Sequence, residues 1–321
     1  NYKNTDKIHI FNQFFIPQKA ERYNEIKICL KQNVKNKDID FIHLLVERIY
    51  SERELGVSSE KIIQTNINKR LTFQDVFQYI RKNDIKGYLI FLNSDIYFFL
   101  NTLENLKYSD FHTHKHFGAL LRYDYNFIDF SKSRIFGPRF DSQDTWILHS
   151  NFRIPEFSEK IFDFEFGKPG CDNKLIYLMA VLGYSIINDP KQLQTLHVHR
   201  EKARSYTIKD SIKEPWGVVL PYSFEINTLP NCLGIDIQRF AIWSRNFSTL
   251  MMTDNDKLYN YIDNQLKNGK NFIIPRVSGI ENNTAVFQNV ITNNLHPETT
   301  PLKQYIQKVL YAMKNNAGIL L

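Results

Sequence analysis

With 321 residues, 43% of them hydrophobic and 23% charged, the chain is long enough for a substantial core or two domains, and general disorder is excluded. Lys and Arg exceed Asp and Glu by 41 to 34, giving +7. That mild balance suits an anionic substrate, and the lack of a basic block or repeated Arg/aromatic module argues against nucleic acid.

Aromatic residues reach 14%, with 25 Phe and 17 Tyr, a supply for core filling or for sugar-stacking surfaces. Cys29, Cys171 and Cys232 are odd in number and widely spaced, so neither a disulfide framework nor a zinc ribbon can be read, and a reducing compartment follows. No charged-then-apolar leader opens the chain. The longest apolar run, LIYLMAVLGYSII, is too short to span a bilayer and is interrupted by Gly183 and Ser185. The expectation is a cytoplasmic protein without a transmembrane segment. Because the chain begins at Asn1 rather than Met, it reads as a piece of a longer protein.

Ile8 to Phe15 reads as a strand that Pro17 ends. Ala20 to Gln32 carries Tyr23, Ile26, Ile28 and Leu30 at helical spacing, before the polar loop NVKNKD. A second strand covers Ile39 to Val46. Thr72-x-x-Asp75 is a capping box that opens a helix from Phe73 to about Lys82. The apolar strand Tyr88 to Leu92 then stops at Asn93-Ser94-Asp95. This β-α-β-α-β order predicts an α/β fold with a largely parallel, doubly wound sheet flanked by helices.

From Phe117 to Leu148 the strands shorten (FGALLRYDY, SRIFG, DTWILHS) and read as the mixed part of the same sheet. An apolar helix from Leu175 is opened by the turn KPGCDN. Ser185 to Asn188 is a strand, and Thr195 to His199 is another, ending in the basic loop REKAR. Pro215, Pro221 and Pro230 mark a boundary, dividing the chain into residues 1–222 and a smaller α/β region, 223–321. In that region Asp254 to Lys267 reads as a helix and NFIIPRVSG as a strand running into a loop.

Four constellations carry chemistry. A strand whose carboxyl end presents a carboxylate, as at Asn93-Ser94-Asp95, is where open α/β sheets place ligands and metals, although many strands simply end in an Asx turn. His197 and His199, at i and i+2, share a face, so both imidazoles can enter one cleft. With a carboxylate and diphosphate oxygens they suit Mn²⁺ or Mg²⁺; alternatively they hydrogen-bond on a half-buried face. Asp172, in FGKPGCDN, is either a helix N-cap or a general base held at a helix start. Trp146 beside Asp144 either stacks on a sugar ring while Asp144 accepts hydroxyl hydrogen bonds, or is a core residue beside a turn. The triplet His112, His114, His116 alternates like a zinc chelator. It reads as a solvated loop, however, lacking Cys or carboxylate partners at ligand spacing. P-loop, dinucleotide and α/β-hydrolase motifs are absent.

Taken together, these residues resemble glycosyltransferases of the GT-A fold over roughly Ile8 to Tyr206. N-S-D stands where that family has its D-x-D motif. The order QDTW, FGKPGCDN and H-x-H-R, followed by Arg204 and Tyr206, is similar to a group of bacterial and large-virus transferases. The resemblance implies a metal-dependent transfer of a sugar from a nucleotide sugar (a UDP-sugar foremost, or a GDP-sugar) to the hydroxyl of a glycan or other acceptor. It implies Asp95 and Asn93 at the metal motif, with Asn93 replacing the first Asp, His199 or His197 as the late metal ligand, and Asp172 as base. Glu47 and Arg70 fall where nucleobase or ribose contacts are found, and Arg200, Lys202 and Arg204 where the diphosphate is paired. Phe14 and Phe15 fall against the nucleotide. A base on the face opposite the leaving group implies inversion at the sugar. Past the boundary, NFIIPRVSGIENN and KNNAGI resemble the start of a GT-D type glycosyltransferase, with Arg276 and Glu281 in its R-x-x-G-x-E-like segment. Two rival readings are a sugar-phosphate nucleotidyltransferase, disfavoured by the glycine-free FNQFFIPQKAER, and a non-catalytic carbohydrate-binding or scaffold module.

Overall fold

In the computed structural model, the described residues are 3–136, 142–200, 206–213, 216–219, 240–243, 273–281 and 284–291. In chain order the elements are β1 (Ile8–Asn12), α1 (Ala20–Lys35), β2 (Phe41–Val46), α2 (Glu52–Leu55), β3 (Ile62–Asn66), α3 (Phe73–Lys82), β4 (Tyr88–Leu92), β5 (Ile96–Phe98) and α4 (Glu104–Tyr108). There follow β6 (His116–Leu120), β7 (Tyr123–Asp124), β8 (Arg134–Ile135), β9 (Thr145–His149), α5 (Cys171–Val181), β10 (Ser185–Ile187) and β11 (Thr195–His197). The last four strands are β12 (Trp216–Val219), β13 (Phe240–Trp243), β14 (Ile273–Glu281) and β15 (Thr284–Ile291).

Strands covered on both faces read as unbroken apolar runs, and β1 and β4 are buried at every position. They pair in parallel at the centre of a seven-stranded sheet of order β10-β6-β9-β4-β1-β2-β3. The β1–β2, β2–β3 and β6–β10 pairs are parallel as well, and β9 runs antiparallel to both β4 and β6. Alternation along the strands splits the core in two. Phe11, Leu89 and Phe91 face one way, with Phe73, Phe77 and Val76 of α3 and Leu175 and Met179 of α5. Ile8, Ile10, Tyr88, Ile90 and Leu92 face the other, against Ile26 and Leu30 of α1 and Leu106 of α4. The sheet is therefore mixed, doubly wound and flanked by helices on both sides.

The capping box of α3 is present: Thr72 Oγ1 accepts from Asp75 N at 3.2 Å and Asp75 Oδ2 accepts from Thr72 N at 3.0 Å. Such caps contribute about 1 kcal/mol. The edge strand β3 is half-exposed, with no apolar run to betray it in the sequence. Two of the short strands expected in the main sheet lie elsewhere. β7 and β8 join β5 and β11 in a separate four-stranded sheet, β5-β11-β7-β8. The cause is local: Leu121 N donates to the Asn188 side chain at 2.9 Å instead of a ladder carbonyl, and the chain leaves the sheet after β6.

A third sheet, β12-β13-β15-β14, is antiparallel throughout and straddles the boundary expected at 222/223. The stretch read as strand-then-loop at 271–279 is strand from Ile273 to Glu281, with an irregularity between Val277 and Gly279. The helix expected over Asp254 to Lys267 lies outside the described residues. Among the described residues, no helix is long and apolar enough to cross a membrane.

Candidate functional site

Because β1, β2 and β4 run parallel, their carboxyl ends emerge on one edge of the sheet, where ligands of open α/β sheets bind. The turn after β4 is closed by Ile96 N donating to Asn93 O at 3.2 Å, and it carries Asp95, which is 7% exposed. β5 then pairs antiparallel with β11, setting His197 opposite Ile96, and Val198 N donates to Asp95 O at 2.9 Å. Val198 points into the core, so His197 and His199 emerge on the same side with their rings stacked 5.0 Å apart.

Oδ2 of Asp95 is the centre of the cluster. It lies 2.9 Å from His197 Nε2, 3.5 Å from His199 Nδ1 and 2.6 Å from the Arg22 guanidinium. Burial alone would raise the Asp95 pKa. The positive charge and hydrogen bond of His197, the His199 contact and Arg22 outweigh it, and the carboxyl is held well below the usual range. Burial likewise disfavours the His197 imidazolium, but Asp95 and Asp124 (3.6 Å from Nδ1) raise its pKa to about 9. Nδ1 of His199 is buried without a hydrogen bond.

One ligand atom from each of Asp95, His197 and His199 falls within 4.8 Å of the others. An orphaned imidazole nitrogen beside a carboxylate and a second imidazole suits a transition ion such as Mn²⁺ better than Mg²⁺, which prefers oxygen alone. Arg22 and the His197 proton supply the positive charge that such an ion would replace.

A second polar group adjoins this one. Asp144 accepts at Oδ1 from Asn93 Nδ2 at 2.8 Å and at its carbonyl from Asn93 N at 3.1 Å. Its Oδ2 pairs with Arg122, which reaches Asp124 at 3.4 Å. One residue before Asp144, Gln143 N donates to Asp172 Oδ2 at 2.9 Å. Asp172 is not the cap of α5. Gly170 is, at φ 77, and a Cβ there would lie 3.2 Å from the Trp216 indole. Asp172 is the second helical residue. Burial first, then the neighbouring Asp144 charge, raises its pKa to about 7 despite the backbone hydrogen bonds it accepts. A capping carboxylate would move the other way.

The remaining expected residues are scattered. Arg70 donates to Phe166 O at 2.9 Å and faces Glu165 at 3.4 Å, tying the start of α3 to the loop that leads into α5. Arg200 donates its backbone N–H to Glu25 Oε1 at 2.7 Å, and its guanidinium lies 5.9 Å from the Phe127 ring. Glu47 is exposed just past β2. Phe14 is 2% exposed and packs edge-on against Tyr50 and Tyr23, so its ring has no open face for a nucleotide. Trp146 is fully buried and edge-on to Phe73, which is the core alternative rather than the sugar-stacking one. Lys202 and Arg204 lie outside the described residues.

Sequence reasoning missed Arg22, Glu25, Arg122 and Asp124. Arg22 and Glu25 pair at 2.9 Å, and their i, i+3 spacing on a helix with Glu25 on its apolar face was the available signal. Nothing in RYD distinguished Arg122 and Asp124 from an ordinary turn.

No protein-family model and no curated protein sequence matches the chain. Among solved structures, it is similar to GalNAc-T7 with UDP, GalNAc and Mn²⁺, at 11% identity and TM-score 0.43, covering 62% of this chain and 45% of that one. It is also similar to the mannosyltransferase PcManGT from Pyrobaculum calidifontis in complex with GDP-Man and Mn²⁺, at 9% identity and TM-score 0.39, covering 63% and 59%. The chain spans about half the length of these two structures.

Proposed function

We propose that the chain is a metal-dependent glycosyltransferase of the GT-A type, moving a sugar from a nucleotide sugar to an acceptor hydroxyl. The observation that carries this reading is the pairing of two unlike groups through one residue pair. The ionised Asp95 with two imidazoles stands on one side of the Asn93–Asp144 link, and Asp172, its pKa raised to about 7, on the other.

Asp95, His199 and His197 would hold Mn²⁺, and the bound ion supplies a Lewis acid that neutralises charge on the departing diphosphate. Asn93 keeps the turn in place through Asp144. Arg200, next in the chain after His199, would pair with phosphate oxygens, a role also assigned to Arg204, which lies outside the described residues. Glu47 and Arg70, past β2 and β3, are assigned to the nucleoside half of the donor. Asp144 positions the turn and offers its carboxylate to sugar hydroxyls. Asp172, with its pKa near neutrality, accepts the proton from the acceptor hydroxyl as the oxygen attacks the anomeric carbon. Attack opposite the leaving group inverts that centre.

The test is donor turnover. Incubation with nucleotide sugars and Mn²⁺ is expected to release one nucleoside diphosphate, slowly by hydrolysis and faster with a hydroxyl acceptor. Saturable donor binding with no release of diphosphate under any acceptor condition would instead identify a carbohydrate-binding module.

A further inference from the structure

The loop HTHKH does not stand alone. Asp110, four residues before His114, closes a tight turn after α4: its carbonyl accepts from Thr113 N at 3.0 Å and from His114 N at 2.9 Å. That turn folds the Asp110 carboxylate back onto the histidines. Oδ2 lies 3.1 Å from His114 Nδ1 and 3.5 Å from His116 Nε2, and the two imidazole rings are stacked, 5.6 Å apart and 8° from parallel.

Two features separate this group from a solvated loop. His116 is 5% exposed at the start of β6, and neither of its ring nitrogens has a hydrogen-bond partner. Oδ1 of Asp110 is also buried and unpartnered. Orphaned buried nitrogen and oxygen atoms are costly unless something satisfies them. Four ligands held tetrahedrally about 2.0–2.1 Å from a zinc ion stand about 3.3 Å from each other. The carboxylate–imidazole separations, 3.1 and 3.5 Å, bracket that value. His114 is 61% exposed, which leaves a solvent-facing side for a fourth ligand.

We infer that Asp110, His114 and His116 form a zinc site with water in the fourth position, distinct from the Asp95 cluster. Its place in the fold indicates a structural role. β6 runs parallel to β10 and antiparallel to β9, as β4 does to β9, so the amino end of β6 lies on the sheet edge opposite the carboxyl ends of β1, β2 and β4. The ion would clip the α4–β6 turn to the sheet. The carboxylate absent from the sequence motif is supplied by the turn that precedes it.

The test uses the whole chain stripped with chelator, as wild type and as His114→Ala, whose exposed side chain makes the substitution safe for folding. Zinc bound after equilibrium dialysis is expected to fall by one equivalent per chain in His114→Ala, whatever the Asp95 cluster holds. Co²⁺ in place of zinc is expected to show a tetrahedral visible absorption band in wild type that weakens in the variant. His116→Gln, with the Asp95 ligands intact, is expected to lose the same equivalent. Equal zinc stoichiometry and affinity within about twofold in wild type and both variants would overturn the site.

Discussion

Asp144 grips Asn93 twice, at 2.8 Å through its carboxylate and at 3.1 Å through its carbonyl. At the place of the first Asp in the D-x-D motif that the sequence resembles, this chain thus has an anchored amide, already facing a carboxylate. Asn93→Asp, which restores the family pattern on paper, would set two carboxylates in contact. Like charges at that distance cannot both ionise cheaply. The variant is expected to turn over donor roughly tenfold more slowly at neutral pH, read as kcat at saturating Mn²⁺. Faster turnover would mean that Asn93 is a weakened ligand rather than a structural partner.

Asp172→Asn is expected to lower kcat by about 10²-fold or more, within the range of general-base contributions, while donor affinity stays within about threefold. In the wild type, kcat should rise with pH along a limb with an apparent pKa near 7, where Asp172 loses its proton. The variant should lose that limb. A variant that loses donor affinity instead would place Asp172 in binding.

The same residue makes a stability prediction with a definite sign. Its folded pKa of about 7 lies above the ordinary carboxyl value of 3.8, so its contribution is fully present below about pH 4 and is lost as pH rises through 7. Asp172→Asn escapes that loss. Relative to wild type, the variant should gain roughly 2–4 kcal/mol between pH 4 and pH 8, measured by urea unfolding at each pH. A difference that does not change with pH would show that the carboxyl titrates normally.

These elements differ in how far the sequence reveals them. Tyr88–Leu92 and Phe73–Lys82 are legible because a continuous apolar run and a capping box are local signals, and they appear at those bounds. The pair His197 and His199 is legible because alternation at the end of β11 and just past it puts both rings on one side. Asp124 and Arg122 are not, since the partners that draw them into the site, His197 and Asp144, are distant in the chain and only the detour of β7 out of the main sheet brings them in. Trp146 shows the converse. A Trp two residues from an Asp looks like a sugar platform, yet the indole lies in the core within β9, while Asp144 precedes the strand and is held by Asn93 and Arg122.

That placement predicts that Trp146→Ala costs about 3–5 kcal/mol of stability by leaving a cavity. Donor and acceptor KM of the folded fraction should be unchanged, a combination that calorimetry and steady-state kinetics together can check. A raised acceptor KM at wild-type stability would put the indole at the sugar.

Arg22 stands where a cation would compete for Asp95. Arg22→Met removes the guanidinium that pairs with Asp95 at 2.6 Å and Glu25 at 2.9 Å, so the metal-free variant should unfold more easily, by about 3 kcal/mol. Mn²⁺ should recover more stability in the variant than in the wild type. An equal response to Mn²⁺ would mean that the ion does not enter beside Asp95.

The most direct measurement is thermal stability with UDP, GDP, CDP and ADP, each with and without Mn²⁺, in wild type and Asp95→Ala. A ligand that binds only the folded chain raises its melting temperature by mass action. The glycosyltransferase reading predicts that one diphosphate stabilises the wild type only when Mn²⁺ is present, and that Asp95→Ala abolishes the shift. No shift from any of the four at millimolar concentration with Mn²⁺, supported by titration calorimetry, would contradict it.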